Sequence, residues 1–196
     1  MKKKNFFLLT MVLLLLILLT GCNESSNNSG NAPDFSLKTL DENTIKLSDY
    51  IGRIVLLDFM GVNCGYCVPQ MITLEDIRHY YSENDLVIMT IDVWGDSAES
   101  VLALIEAYRC SSPCNMENTY SYLQIREYKS LAGKENGLEL DWIFGLDSDG
   151  KIASKYMKPT DGVPKIVIID KKGNIYYEKT GYTRYSEISE KINKII

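Results

Sequence analysis

The chain has 196 residues, with 21 basic side chains against 26 acidic ones and a formal net charge of −5. Three of the basic residues, Lys2, Lys3 and Lys4, stand at the extreme N-terminus, and without them the net charge falls to about −8. No basic run remains that could follow a phosphate backbone, which excludes nucleic acid as a partner.

Those lysines open a predicted leader. Phe6 to Leu19 is apolar but for Thr10, and "LLTGC" closes the stretch at Cys22. A short apolar segment, basic in front and ended by small residues, reads as a secretory signal over 1–21 rather than a stable membrane span. "LTGC" resembles a lipobox, in which Cys22 receives lipid and becomes the mature N-terminus. The expectation is a domain lipid-anchored on the extracytoplasmic face of the cell membrane. Residues 22–33 are polar, small and aperiodic, a flexible tether of roughly 20 Å root-mean-square reach. Residues 34–196 are the length of one domain with a core of its own.

Within that domain the apolar pattern alternates. "RIVLLDF" (53–59) and "DLVIMTID" (85–92) are near-continuous apolar runs, the mark of strands buried on both faces. Between them Met71, Leu74 and Ile77 have helical spacing, and "SAESVLALIEAYR" predicts a second helix capped by Ser97. "KIVIID" and "NIYYEK", separated by "KKG", predict a hairpin, and Ile188, Ile192 and Ile195 stripe a closing helix. Strands separated by helices make this an α/β protein of βαβ type. Residues 110–141 are polar and tyrosine-rich, and we read them as an insertion packed on one face.

Cysteines carry the chemistry. Setting Cys22 aside, two close pairs remain, Cys64/Cys67 and Cys110/Cys114, and an even number in an oxidising compartment favours disulfides. Cys64 follows a buried strand and precedes a helix, so its sulfur falls at a helix N-terminus. Unpaired N–H groups there favour the thiolate. Cys67 is one helical turn further on, within disulfide reach. A metal site needs two further ligands, and the single histidine, His79, is three helical turns away. A staple across so short a span removes little chain entropy, so redox chemistry is the stronger reading.

At this point the sequence resembles the thioredoxin superfamily, and within it the membrane-tethered thiol–disulfide oxidoreductases of the TlpA/ResA type. "APDFSLKTLDENTIKLSDYIGRIVLLDFM" is similar to their opening, "CGYC" takes their C-x-x-C position, and "GVPKIVIIDKKGNI" resembles their cis-proline loop and hairpin. The resemblance implies a thioredoxin-like fold, a central mixed sheet flanked by helices with an N-terminal β-hairpin. It implies no cofactor, protein thiols and disulfides as substrates, and an electron donor in the membrane. Cys64 would attack, Cys67 resolve, and Val163, Pro164 and Tyr66 contact the substrate. Asp58, a carboxylate inside an apolar strand, would carry a raised pKa and take the proton of Cys67. Peroxiredoxins share the opening, but their P-x-x-x-[ST]-x-x-C pattern fails here: Leu57 and Gly61 precede Cys64, Met60 and Cys64 precede Cys67.

Four positions depart from the resemblance. Asn63 stands where an aromatic usually precedes the first cysteine, and Gln70 stands where a glutamate could act as a base. Pro69 is expected to distort the first turns of the helix. Tyr66 replaces the proline of the thioredoxin dipeptide, which frees a backbone N–H toward Cys64 and predicts a more oxidising pair. Cys110 and Cys114 are expected to form a local disulfide in the insertion, or else a second redox pair. An alternative of another class is a non-catalytic copper-binding module like the SCO-type metallochaperones, using Cys110, Cys114 and His79.

Overall fold

The computed structural model describes residues 30–111 and 120–196, with side chains of 120–122 left aside. The signal, Cys22, most of the tether and Cys114 lie outside the described residues.

Seven strands form one sheet in the order β2-β1-β5-β4-β3-β6-β7. Its centre is the pair anticipated from the apolar runs: β3 (Ile54–Met60) and β4 (Leu86–Asp92) are parallel, in register from Ile54↔Leu86 to Met60↔Asp92, and every residue of both is buried. β6 (Lys165–Ile169) runs antiparallel to β3 and pairs with β7 (Ile175–Thr180) in the expected hairpin. On the other side β5 (Ile143–Leu146) is parallel to β4 and antiparallel to β1 (Ser36–Thr39), which with β2 (Thr44–Lys46) makes the N-terminal hairpin. β5 has no clear pattern in sequence because it is four residues long and contains Gly145. That glycine is required by close packing, since a Cβ there would stand 2.5 Å from Leu37 Cγ on the neighbouring strand.

Helices cover the sheet. α1 (Cys67–Tyr80) buries Met71, Leu74 and Ile77, as its spacing predicts. α2 (Ala98–Arg109) begins at Ser97, whose side chain accepts the Ser100 N–H. α3 (Tyr120–Leu131) lies in the insertion and packs on α1 and α2, so the insertion covers one face as expected. α4 (Ala153–Tyr156) is a single turn, and α5 (Tyr185–Asn193) docks Ile188 and Ile192 on α1. Period-two alternation along β3 sends Val55, Leu57 and Phe59 into the core on one face, while Ile54 and Leu56 meet α1 and α5 on the other. Asp58 falls on the α1 face.

Pro69 does not distort its helix. α1 runs unbroken from Cys67, which makes Pro69 the third helical residue. The first four N–H groups of a helix have no intrahelical acceptor, and the carbonyl a proline ring would strike is Gly65's, outside the helix.

Candidate active site

The β3–α1 turn brings Cys64 and Cys67 together in a disulfide, with Cα atoms 5.3 Å apart and both residues almost wholly buried. The turn is made by its own backbone: Cys64 N–H donates to Gly61 O and Cys67 N–H to Cys64 O. Cys67 N–H also lies 3.1 Å from Cys64 Sγ. The donor aimed at this sulfur is therefore the N–H of Cys67, not that of Tyr66. A proline at position 66 would leave that donor in place. Tyr66 is the N-cap residue of α1, its ring largely exposed at 72%.

Asp58 is buried beneath the first turns of α1. Thr90, its partner on β4, donates from Oγ1 to Asp58 Oδ2 at 3.2 Å, and Trp142 Nε1 donates to Thr90 Oγ1 at 3.0 Å. Asp58 Oδ1 has no hydrogen-bond partner among the described residues. Desolvation pushes its pKa up to about 7, with the Thr90 bond acting weakly the other way. Tyr108, buried in the core cluster that holds both cysteines, has its phenol pKa raised by burial and then by the charge of Asp58. Tyr108 thus links the acid to the cluster that holds the disulfide.

Opposite lies the loop before β6. The Val163–Pro164 bond is cis, and Val163 packs against the cluster containing both cysteines. Pro164 O accepts the Gly181 N–H at 2.7 Å. Lys165, itself buried, holds the loop from below through Asp161 Oδ2 at 2.8 Å, Tyr156 O at 2.7 Å and Glu178 at 3.1 Å.

The partnership of Gln70, and the residues Asp92 and Asp96, are absent from the sequence reading. Gln70, buried completely, spends both ends of its amide on Thr183, accepting its N–H at 2.8 Å and donating to its carbonyl. It therefore fastens α1 to the β7–α5 loop. Asp96 Oδ2 accepts the Val62 N–H of the β3–α1 turn at 2.8 Å, and Asp96 N–H donates to Asp92 Oδ1. Asp92, at the end of β4, is raised to about 6 by burial first and then by the Asp96 carboxyl beside it. Thr90 and Asp92 were legible as polar interruptions of an apolar strand at a spacing of two, one step across from Asp58.

The insertion reaches the site as well. A Cβ on Gly65 would stand 3.3 Å from the Gln124 amide of α3. Cys110, the C-cap residue of α2, is disulfide-bonded, while its expected partner Cys114 lies outside the described residues. His79 makes a hydrogen bond with Glu75 O and faces Glu139 from the surface of α1. The Cys110 sulfur is in a disulfide and His79 turns to a carbonyl and a carboxylate, while Cys114, the third residue of the copper alternative, lies outside the described residues. Among the described residues no three His, Cys, Asp or Glu side chains converge on a metal position.

A mixed sheet with a redox-capable cysteine pair between its central strand and the following helix, facing a cis-proline loop, defines a thioredoxin-like protein. Solved structures agree on the fold. A thioredoxin-like protein from Aeropyrum pernix superposes with a TM-score of 0.54 at 25% identity, covering 83% of this chain and 89% of that one. The pneumococcal exposed lipoprotein thioredoxin from Streptococcus pneumoniae gives 0.53 at 21% identity, over 83% and 99%. A model of the AhpC/TSA family matches residues 29–178, and the chain belongs to that family. Its relatives include the thiol-disulfide oxidoreductase ResA of Oceanobacillus iheyensis, 32% identical over 87 residues, or 42% of this chain and 44% of that protein. ResA of Bacillus thuringiensis is 22% identical over 164 residues, covering 84% of this chain and 76% of the relative. The thioredoxin-like protein YneN of Bacillus subtilis matches at 32% over 42% of this chain and 49% of its own length. The chain thus spans about half the length of the first curated relatives it matches.

Proposed function

We propose that this protein is an extracytoplasmic, lipid-anchored thiol–disulfide oxidoreductase that exchanges disulfides with protein thiols through its C-G-Y-C site. The observation that carries the reading is the Cys64–Cys67 disulfide at the start of α1, with a buried acid raised to about 7 whose charge reaches Tyr108 of the cysteine cluster. In the reduced protein the Cys64 thiolate attacks a substrate disulfide, one substrate thiolate leaves, and a mixed disulfide forms. Cys67 gives up its proton to Asp58 and attacks Cys64 Sγ, releasing the second substrate thiol. Two electrons pass to the substrate, whose two sulfurs leave as thiolates and are protonated by Asp58 and by solvent, and the same steps in reverse oxidise it. Asp58 suits the proton transfer because a pKa of about 7 lets it accept and return a proton near neutrality. The backbone of Val163 makes no described hydrogen bond, which leaves it open to pair with an extended substrate chain. Resemblance to the membrane-tethered family and the lipobox at Cys22 support the anchor, and a membrane electron donor would follow from it.

A Cys67→Ser variant is expected to trap partner proteins on Cys64 as adducts that dithiothreitol releases, because resolution is blocked. Absence of any reducible adduct would sink the enzymatic reading. Labelled fatty acid should enter the wild-type chain and not Cys22→Ser, and equal labelling of both would remove the lipid anchor. The reduction potential of the Cys64–Cys67 pair reads out its direction, a low value marking a reductase and a high one an oxidase or isomerase.

A further inference from the structure

Beside the catalytic turn stands an exposed aromatic that the exchange chemistry leaves unused. Trp94, 56% exposed, lies so close over Gly61 that a Cβ there would meet its Cδ2 at 2.3 Å. Gly61 is also the residue whose carbonyl accepts the Cys64 N–H, so the indole borders the turn that carries the attacking sulfur. The segment holding Trp94 is tied down at both ends. Val93 N–H donates to Met60 O at 3.0 Å, and Asp96 accepts the Val62 N–H at 2.8 Å. Gly95 makes the bend between them with φ +76°. A large apolar side chain left in water costs free energy, and fastening it next to the reacting atoms prepares an apolar contact without the usual ordering cost.

Resting on the oxidoreductase reading above, we propose that Trp94 is a specificity-determining residue. Its indole packs against an apolar or aromatic side chain next to the reacting cysteine of an extended polypeptide substrate. Val163 packs its side chain against the same cluster as the cysteines, and its backbone, free of described hydrogen bonds, can align such a chain in the manner of a strand added to a sheet edge. The favoured substrate is therefore an unfolded or extended segment with an aromatic neighbour to its cysteine, because an aromatic pair adds attraction beyond the area it buries.

The test compares two synthetic peptide disulfides, identical except that phenylalanine or glycine flanks the cysteine. The wild-type protein is expected to favour the phenylalanine peptide by about tenfold in kcat/KM, mostly through KM. Trp94→Ala should erase that ratio, and Trp94→Phe should keep most of it. Gly61→Ala, which pushes the indole away without removing it, should also lower the ratio. A wild-type ratio near one, or a ratio unchanged in Trp94→Ala, overturns the proposal. So does an equal loss on both peptides, which would give the indole a purely structural part. Exchange with neither peptide by the wild-type protein removes the underlying oxidoreductase reading, and the proposal with it.

Discussion

Two loops face each other across the site, and they are braced by opposite electrostatics. The loop before β6 is held by a cation, with buried Lys165 between Asp161, Glu178 and the Tyr156 carbonyl. Asp161 is accordingly lowered to about 2, chiefly by its hydrogen bond with Lys165 and then by the Lys158 N–H. The β3–α1 turn is tied by Asp96, and beside it the buried carboxyls of Asp58 and Asp92 have no cation among their described partners. Asp58 is raised to about 7 and Asp92 to about 6, burial being the largest cause for each. A buried charge with a partner keeps its charge over the working range of pH, and one without a partner gives it up near neutrality. Asp161, beside the cis-proline loop, is thereby held as a carboxylate, while the sulfur-bearing side holds Asp58 and Asp92 where they can change state.

The sharpest way to break this contrast is to remove the cation. Lys165→Met removes the buried cation from Asp161 and leaves Glu178 only the exposed Lys158 at 3.8 Å, and it should cost about 2–4 kcal/mol of stability in denaturant melts at pH 7. A loss below 0.5 kcal/mol would show that solvent already balances those carboxylates.

Asp58→Asn should act in the other direction. The folded pKa is raised above the ordinary 3.8 of the unfolded chain, so the folded state binds this proton more tightly. The site costs no stability below pH ~4, loses stability as pH rises from there to ~7, and carries the full cost above. The asparagine variant is therefore expected to be more stable by roughly 2–3 kcal/mol at pH 8 and about equal to the parent at pH 4. In the same variant, resolution of the mixed disulfide should slow by about tenfold to a hundredfold near neutrality. A variant less stable than the parent at pH 8 would mean that Asp58 is ionised and compensated in the fold.

Asp96→Asn gives the smallest effect and the finest probe. The amide still offers an oxygen to Val62 N–H, but it replaces the like carboxyl beside Asp92 with a hydrogen-bond donor. The Asp92 carboxyl, followed by NMR, should then titrate below its present value of about 6, with stability altered by less than ~1 kcal/mol. An unchanged titration would assign the whole of the Asp92 shift to burial.

What was legible in the sequence was whatever depends on neighbours along the chain. The two buried strands, the hairpin, the closing helix and the Ser97 cap are set by local periodicity and capping chemistry, and each lies within a residue or a few of its expected place. Cys64 and Cys67 were equally legible, because both sit on one turn of backbone and their separation is fixed by three residues. Even the buried acid could be read, since a single Asp in an apolar strand stands out. Tertiary structure decided what crosses between segments. Thr90, Trp142 and Tyr108 surround Asp58 from β4, β5's approach and α2, and only strand register brings them there. Gln70 looked like a missing base and is instead a clasp on Thr183, 113 residues away in the chain. Trp94 borders the β3–α1 turn because β4 lies parallel to β3 and ends beside it. The reason is one of range: hydrogen bonds within a turn are written in adjacent residues, whereas desolvation and side-chain partnership depend on which distant surfaces the folded sheet brings into contact.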